Sequence, residues 1–312
     1  MTQDNWERSV IERLAEEGLR EQRIARRWGI FFKLLTFAFL FLALFVAIGT
    51  LYEHEATCAG KCTAVVELRG ELDTDDLASA ENVITGLQAA FKNKGTQGVI
   101  LRINSPGGSP VQAGQINDEI RRLRGKYPDT PIYAVVEEVC ASGAYYVAVA
   151  TDKIYVDKAS LIGSIGVIMD GFGFVGAMDK LGIERRALTA GDNKAFLDPF
   201  APIVPEQRDY AQKLLDEIHQ QFIAAVKQGR GDRLKESPEL YSGLVWSGAR
   251  GVELGLADAL GSVGYVAREV IKAEDVVDFS VQESFTERLA RKFGSTFGRT
   301  SAAAAGRTFK WR

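Results

Sequence analysis

Three short segments of this chain combine residue types that chemistry can use. The first, Asn104-Ser105-Pro106-Gly107-Gly108, follows an apolar run, and its paired glycines let the backbone turn tightly and bring bare N–H groups close to a ligand. A developing carbonyl oxyanion needs such amides, although a Pro-Gly-Gly turn taken alone is more often structural. The second, Val139-Cys140-Ala141-Ser142-Gly143-Ala144-Tyr145-Tyr146, runs from a strand into small residues, with Ser142 at the expected start of a helix. Its hydroxyl is either a helix N-cap or a nucleophile beside the positive end of that helix, with room for a substrate to approach. The third, Gly191-Asp192-Asn193-Lys194-Ala195-Phe196, presents a lysine in a loop ahead of Pro199 and Pro202. A free lysine titrates near 10.4, so it serves as a base only where desolvation lowers that value.

The histidines narrow the chemistry. There are only two, His54 and His219. Neither is expected in a strand-end loop, where an α/β active site forms. A histidine-based triad and a His-rich metal site are therefore disfavoured, and a hydrolase here would need another base. Cys58 and Cys62 can pair in an oxidising compartment, and no further Cys/His cluster accompanies them to hold a metal. Cys140 sits in an apolar stretch and is expected to pack as a small hydrophobe rather than react.

The elements that must position these loops read as alternating strands and helices. Residues 63–69, 98–103, 132–136 and 153–156 are apolar and β-rich, and 183–189 continues the series. Between them, 75–94 is helical with Asp75 or Asp76 near its N-cap, 111–124 is a second helix, and a Gly/Ala-rich helix starts near Ser142. A long amphipathic helix covers 205–227, and a helix near 263–273 closes the series. The fold class is α/β with largely parallel strands.

One segment stands apart. Residues 30–51 form an apolar run with Lys33 as the only charge. At about 1.5 Å per residue the run reaches roughly 33 Å, enough to cross a bilayer core, and Lys33 can snorkel to the interface. The 29 residues before it and the absence of a small-residue cleavage site after it favour a retained anchor over a cleaved signal. Arg20, Arg23, Arg26 and Arg27 precede the run, while Glu53 and Glu55 follow it. The positive-inside rule then leaves the N-terminus cytoplasmic and residues 52–312 across the membrane. Residues 1–29 read as a solvated helix continuing the anchor, or as a partner-binding helix. The expected organisation is thus a segment 1–29, a transmembrane helix 30–51, a linker 52–62, a catalytic domain 63–278 and a basic tail 279–312. That tail either rests on anionic lipid or is simply solvated. With a net charge of −3, the chain lacks the basic excess of a nucleic-acid-binding protein.

Taken together, the loops resemble the signal peptide peptidase A family of bacteria, whose fold is shared with the Clp protease and crotonase enzymes. The resemblance runs from about Val65 to Gly264. Its blocks are L-R-I-N-S-P-G-G (101–108), A-S-G-A-Y-Y-V-A (141–148), I-G-S-I-G-V-I-M (162–169), G-D-N-K (191–194) and G-L-A-D-A-L-G (255–261). It implies a Clp protease/crotonase-like domain of repeated strand-strand-helix units behind one N-terminal transmembrane helix. It further implies a serine endopeptidase of the bacterial inner membrane that hydrolyses peptides, among them released signal peptide remnants, with no cofactor. Ser142 would be the nucleophile and Lys194 the general base, with the amides of Gly108 and Ser142 as oxyanion hole and Gly143 a weaker candidate. Ser164 would orient Lys194 or serve as a turn serine. Gly107, Gly143, Ile165, Gly166 and Val167, with Ile168, would line an apolar substrate groove. The chain has the length of the family's short form, which implies a homo-oligomer whose neighbouring subunits can complete the sites. It departs from the family pattern at Ala144, where a glycine is usual. The competing readings are an inactive protease-like membrane scaffold and a crotonase-type acyl-CoA enzyme.

Overall fold

A strand buried on both faces needs apolar residues at nearly every position rather than at alternate ones. Three segments meet that demand, and they form the centre of the sheet: β1 (Cys62–Arg69), β2 (Thr96–Ser105) and β3 (Ile132–Ala141). The computed structural model describes residues 3–51 and 56–282. These fall into two compact units, each described here by itself.

The first unit holds α1 (Gln3–Leu51), one continuous helix of 49 residues. Its stretch Glu16–Phe45 contains an apolar window long enough to cross a membrane. The apolar side chains from Ile30 to Phe45 are exposed, as lipid-facing residues would be.

In the second unit the elements follow as β1, α2 (Ala80–Lys92), β2, α3 (Pro110–Lys126), β3, α4 (Gly143–Ala148), β4 (Lys153–Val156) and β5 (Leu161–Gly163). Next come α5 (Val175–Leu181), α6 (Pro205–Arg230), β6 (Val245–Ser247), α7 (Gly248–Leu254), β7 (Ala259–Leu260) and β8 (Val276–Asp278). The sheet runs β6-β5-β3-β2-β1-β8, with β4 also paired to β3 and β7 to β4. All pairs are parallel except β5 with β6. One face is covered by α2, α3, α4 and α6 through Leu87, Ile116, Tyr145 and Phe222. The other is closed by residues 263–271, where Val266 and Ala267 pack on Val65, Ile100 and Val135.

β3 changes partners along its length. On one side it exchanges β4, at Tyr133–Val135, for β5, at Val139–Ala141. On the other it stays with β2, through a register shift, out to the Ser105–Cys140 pair, so the loops after Ser105 and Ala141 leave the sheet side by side.

Several expectations are corrected. The helix expected over 75–94 starts at Ala80, because Ser79 caps it by accepting a hydrogen bond from the Asn82 amide, and Asp75 and Asp76 lie in the turn before. Residues 183–189 form no strand, and Leu188 is wholly exposed. The closing helix is a short turn that widens into a π-helical stretch at Val266–Ile271. Cys58 and Cys62 are disulfide-bonded. Cys140 is fully buried, and that burial pushes its thiol above the usual range, which bears out its reading as a packing residue. His54 and residues 283–312, nearly all of the basic tail, lie outside the described residues.

A buried ion pair ties the late part of the domain to its middle. The Arg230 guanidinium, 1% exposed, donates to Asp258 Oδ2 (2.8 Å) and to the Gly255 carbonyl (2.8 Å). Asp258 also accepts from the Ile154 amide (2.7 Å) and from Arg233 (3.0 Å). Burial works to raise the Asp258 pKa, but the hydrogen bond and charge of Arg230, the Ile154 amide and Arg233 outweigh it and hold the carboxyl below its ordinary value. A depressed carboxyl stabilises the fold above its unfolded pKa, about 3.9, and that contribution fades as pH falls through the lower folded value. Asp258→Asn should therefore cost about 3 kcal/mol in urea unfolding at neutral pH, since Arg230 is left buried and uncompensated. The gap between wild type and variant should narrow below about pH 4.

Candidate active site

The end of β3 delivers Ser142 in a conformation that L-residues avoid. Its φ is 52° and its ψ −125°. A non-glycine residue held there is strained, and such strain persists only where surrounding bonds over-determine it. Here the Ser142 amide donates to the Gly163 carbonyl (2.8 Å), and the Ser142 carbonyl accepts from the Tyr146 amide (3.0 Å). The side chain makes no capping bond to α4, so the N-cap reading of this serine does not hold. Its hydroxyl instead borders a cavity of about 470 Å³.

The amide bond to Gly163 also corrects the expected oxyanion hole. The Ser142 N–H is already used, so it is not available to a substrate oxygen. The amides of Gly108 and Gly143, close to Ser142, have no partner among the described residues, the latter lying at the first position of α4, where no intrahelical acceptor exists. They lie close together, since a Cβ placed on Gly143 would sit 3.4 Å from the Gly108 nitrogen. The Pro-Gly-Gly turn is fixed in turn by Leu72. Its N–H donates to the Gly107 carbonyl (2.8 Å), and its carbonyl accepts from the Ser109 amide (2.8 Å). Glycine is required at both positions. Gly107 and Gly108 have φ of 96° and 144°, and a Cβ would come within 2.7 Å of the Gly143 nitrogen at the first and 2.4 Å of the Leu72 carbonyl at the second.

Ser164 borders the same cavity, with φ 51° and its amide bonded to the Leu244 carbonyl (2.8 Å). Gly107, Gly166, Val167 and Ile168 line it too, and Glu71 supplies the one charged side chain among the lining residues. Beyond Ser142 the cavity continues into a smaller apolar pocket of about 50 Å³, walled by Ala113, Gly143, Tyr146, Ile218 and Phe222. Ile165 does not line the groove. Its side chain is fully buried in the core. The methyl of Ala144 is likewise buried inside α4, away from the cavity.

Lys194 is not among the residues lining either cavity. It sits exposed in a turn over 191–197, its amide bonded to the Gly191 carbonyl (3.1 Å). The turn is held by Gln207 of α6, which accepts from the Leu197 amide (3.2 Å) and donates to Asn193 (3.1 Å). Around it, residues 168–204 expose Phe172, Leu181, Ile183, Leu188 and Ile203. The structure thus gathers Ser142, Gly107, Gly108, Gly143, Ser164, Gly166 and Val167 into one site and leaves Lys194 outside it.

His219 is the residue that sequence reasoning passed over. It lies on α6, as expected, with its Nε2 3.1 Å from the Ile165 carbonyl. No local pattern signals that contact, which spans 54 residues of sequence.

Known proteins similar to this chain include peptidases. The family model described as peptidase family S49 matches residues 126–277. A Brucella melitensis protein named Na(+)/H(+) antiporter NhaA is 42% identical over 207 residues, covering 64% of this chain and 28% of that protein. Protease 4 of Haemophilus influenzae is 28% identical over 253 residues, covering 78% of this chain and 40% of that protein. The chloroplastic serine protease SPPA of Arabidopsis thaliana is 28% identical over 202 residues, covering 64% and 29%. The chain spans less than half the length of each of these three. The α/β architecture is the Clp protease/crotonase-like one that the five sequence blocks imply. Across residues 126–277 the chain is thus similar to peptidase family S49, and the relatives it matches include proteins named as proteases.

Proposed function

We propose that this chain is a serine endopeptidase, anchored by α1, that cleaves peptides through Ser142 with Lys194 as its base. The observation that carries the reading is the pairing of an uncapped, strained Ser142 with two unpartnered amides, Gly108 and Gly143, on one cavity. The neutral Lys194 amine takes the Ser142 proton as Oγ attacks a peptide carbonyl carbon. The oxygen that gains negative charge receives the Gly108 and Gly143 N–H groups. Collapse of the tetrahedral species expels the amine, which takes the proton back from the Lys194 ammonium. Water then repeats the sequence on the acyl-enzyme, with Lys194 again as base. Ser164, on the same cavity, orients the lysine.

Lys194 reaches the cavity from a neighbouring copy of the chain. Its exposed position, in a turn surrounded by uncovered apolar side chains, supports an assembly in which this surface packs on a second subunit. Such packing would also desolvate the lysine, as a neutral base requires.

The apolar pocket beside Ser142 accepts a small side chain, and Val167 and Ile168 extend the apolar lining. Released signal peptides, rich in apolar residues, are the substrates this lining suits. The basic residues ahead of the apolar run support a cytoplasmic N-terminus with the catalytic domain on the opposite side, and the Cys58–Cys62 disulfide is compatible with an oxidising milieu there.

Ser142→Ala and Lys194→Ala should each lower kcat on a fluorogenic apolar peptide by about 10⁴-fold. Mixing the two inactive variants during assembly should restore roughly a quarter of wild-type activity, because random neighbours then combine an intact serine with an intact lysine. Equal activity in all three proteins would remove Ser142 as nucleophile, and no recovery on mixing would place both residues in one subunit. Phe222→Ala should enlarge the small pocket and shift preference from alanine toward leucine at the cleaved bond by about tenfold, measured as a ratio of kcat/KM.

A further inference from the structure

The segment 163–168 forms one wall of the Ser142 cavity, and its backbone needs external support. Gly163 and Ser164 both have positive φ, 102° and 51°. Main-chain bonds hold its first part: the Gly163 carbonyl accepts from Ser142, the Ser164 amide donates to Leu244 (both 2.8 Å), and the Ile165 carbonyl accepts from Gly243 (3.2 Å). One side chain joins them. His219 Nε2 lies 3.1 Å from that same Ile165 carbonyl, the only side-chain hydrogen bond to residues 163–168 among the described residues.

We propose that His219 is a positioning residue that clamps the Ile165 carbonyl and thereby aims the Gly166 amide at the substrate backbone. The Ile165–Gly166 peptide is trans, so its C=O and N–H point in opposite directions. Fixing the carbonyl against His219 and Gly243 turns the Gly166 N–H to the other side of the segment. That amide has no partner among the described residues, and Gly166 borders the Ser142 cavity. An extended peptide adding as a strand along 166–168 would use it as its first main-chain donor. His219 borders a neighbouring cavity of about 230 Å³, which shares Gly166, Val167 and Ser242 with the Ser142 cavity, and does not itself line the latter, so it acts through Ile165 and touches no reacting atom. The bond uses the form of the ring that carries a proton on Nε2, which donates to the carbonyl oxygen. Glycine at 166 leaves this peptide unit freer than any other residue would, which is why an outside clamp matters there.

The kinetic part of the test rests on the peptidase reading above; the exchange part does not. Full-length wild type, His219→Ala and His219→Gln are compared in detergent by hydrogen exchange, thermal unfolding and cleavage of an extended apolar peptide. Losing one net hydrogen bond should raise exchange within 163–168 by about tenfold in His219→Ala and leave β1–β3 unchanged. KM should rise by about five- to tenfold with kcat within twofold, and glutamine, which can present an N–H of similar reach, should restore both. Unchanged exchange at 163–168 in His219→Ala would overturn the proposal. So would a rise spread over the whole domain with a lowered Tm that glutamine does not correct, since that is the signature of a packing residue. If wild type cleaves no peptide, the peptidase reading falls, and the exchange comparison alone decides the clamp.

Discussion

The hydrogen bond from the Ser142 amide to the Gly163 carbonyl governs most of what surrounds it. It joins the end of β3 to the end of β5, two strands that run parallel only at Val139–Ala141 and Leu161–Gly163. By continuing that ladder one step past the strands, it holds Ser142 at positive φ and turns its side chain away from the cap geometry a helix-start serine would otherwise adopt. It also consumes one of the two amides that flank the hydroxyl. The remaining one, on Gly143, faces Gly108. A single backbone bond thus selects both the serine's exposure and the donor that stands beside it.

The sheet supplies the rigidity this arrangement needs. β2 and β3 are buried on both faces, and the loops leaving them inherit positions set by packing rather than by their own sequence. Leu72 shows how far this goes. It is fully buried, and its main chain brackets the Pro-Gly-Gly turn from a point 36 residues earlier in the chain. Apolar burial and strand-like pairing are combined at one residue, so the turn cannot relax without opening the core.

Much of this was legible in the sequence because the signals were local. The apolar stretch at 98–103, broken only by Arg102, reads as a doubly covered strand, and the two glycines at 107 and 108 stand where both φ values are positive. Ser79 was missed as a cap because Asp75 and Asp76 offer the same chemistry a turn earlier, and the choice is settled by where Leu87 and Phe91 must face. In residues 183–189 only Ile183 and Thr189 are strand formers and no strand lies alongside to pair with them, so no strand forms there. Ile165 and the Ser142 amide were misassigned for a shared reason. Both are decided by contacts with segments 20 or more residues distant, Gly163 in one case and the core under α6 in the other, which no window of sequence contains.

The position of β1 has a consequence for how the chain is made. β1 is the first strand of the domain, yet it pairs with β8 at Val276–Asp278 as well as with β2. Thr63 donates to residues 273 and 275, and the Phe279 amide returns to Val65. A ribosome adding about 5–20 residues per second exposes β1 long before β8 exists. For the interval of some ten to forty seconds that separates residue 69 from residue 276, one edge of β1 is an open strand rich in valine. Open edges of that composition invite pairing with other chains. Synthesis of this protein therefore includes a window in which its first strand, one place in from the sheet's finished edge, must be kept from the wrong neighbour, and the window closes only when almost the entire domain has been made.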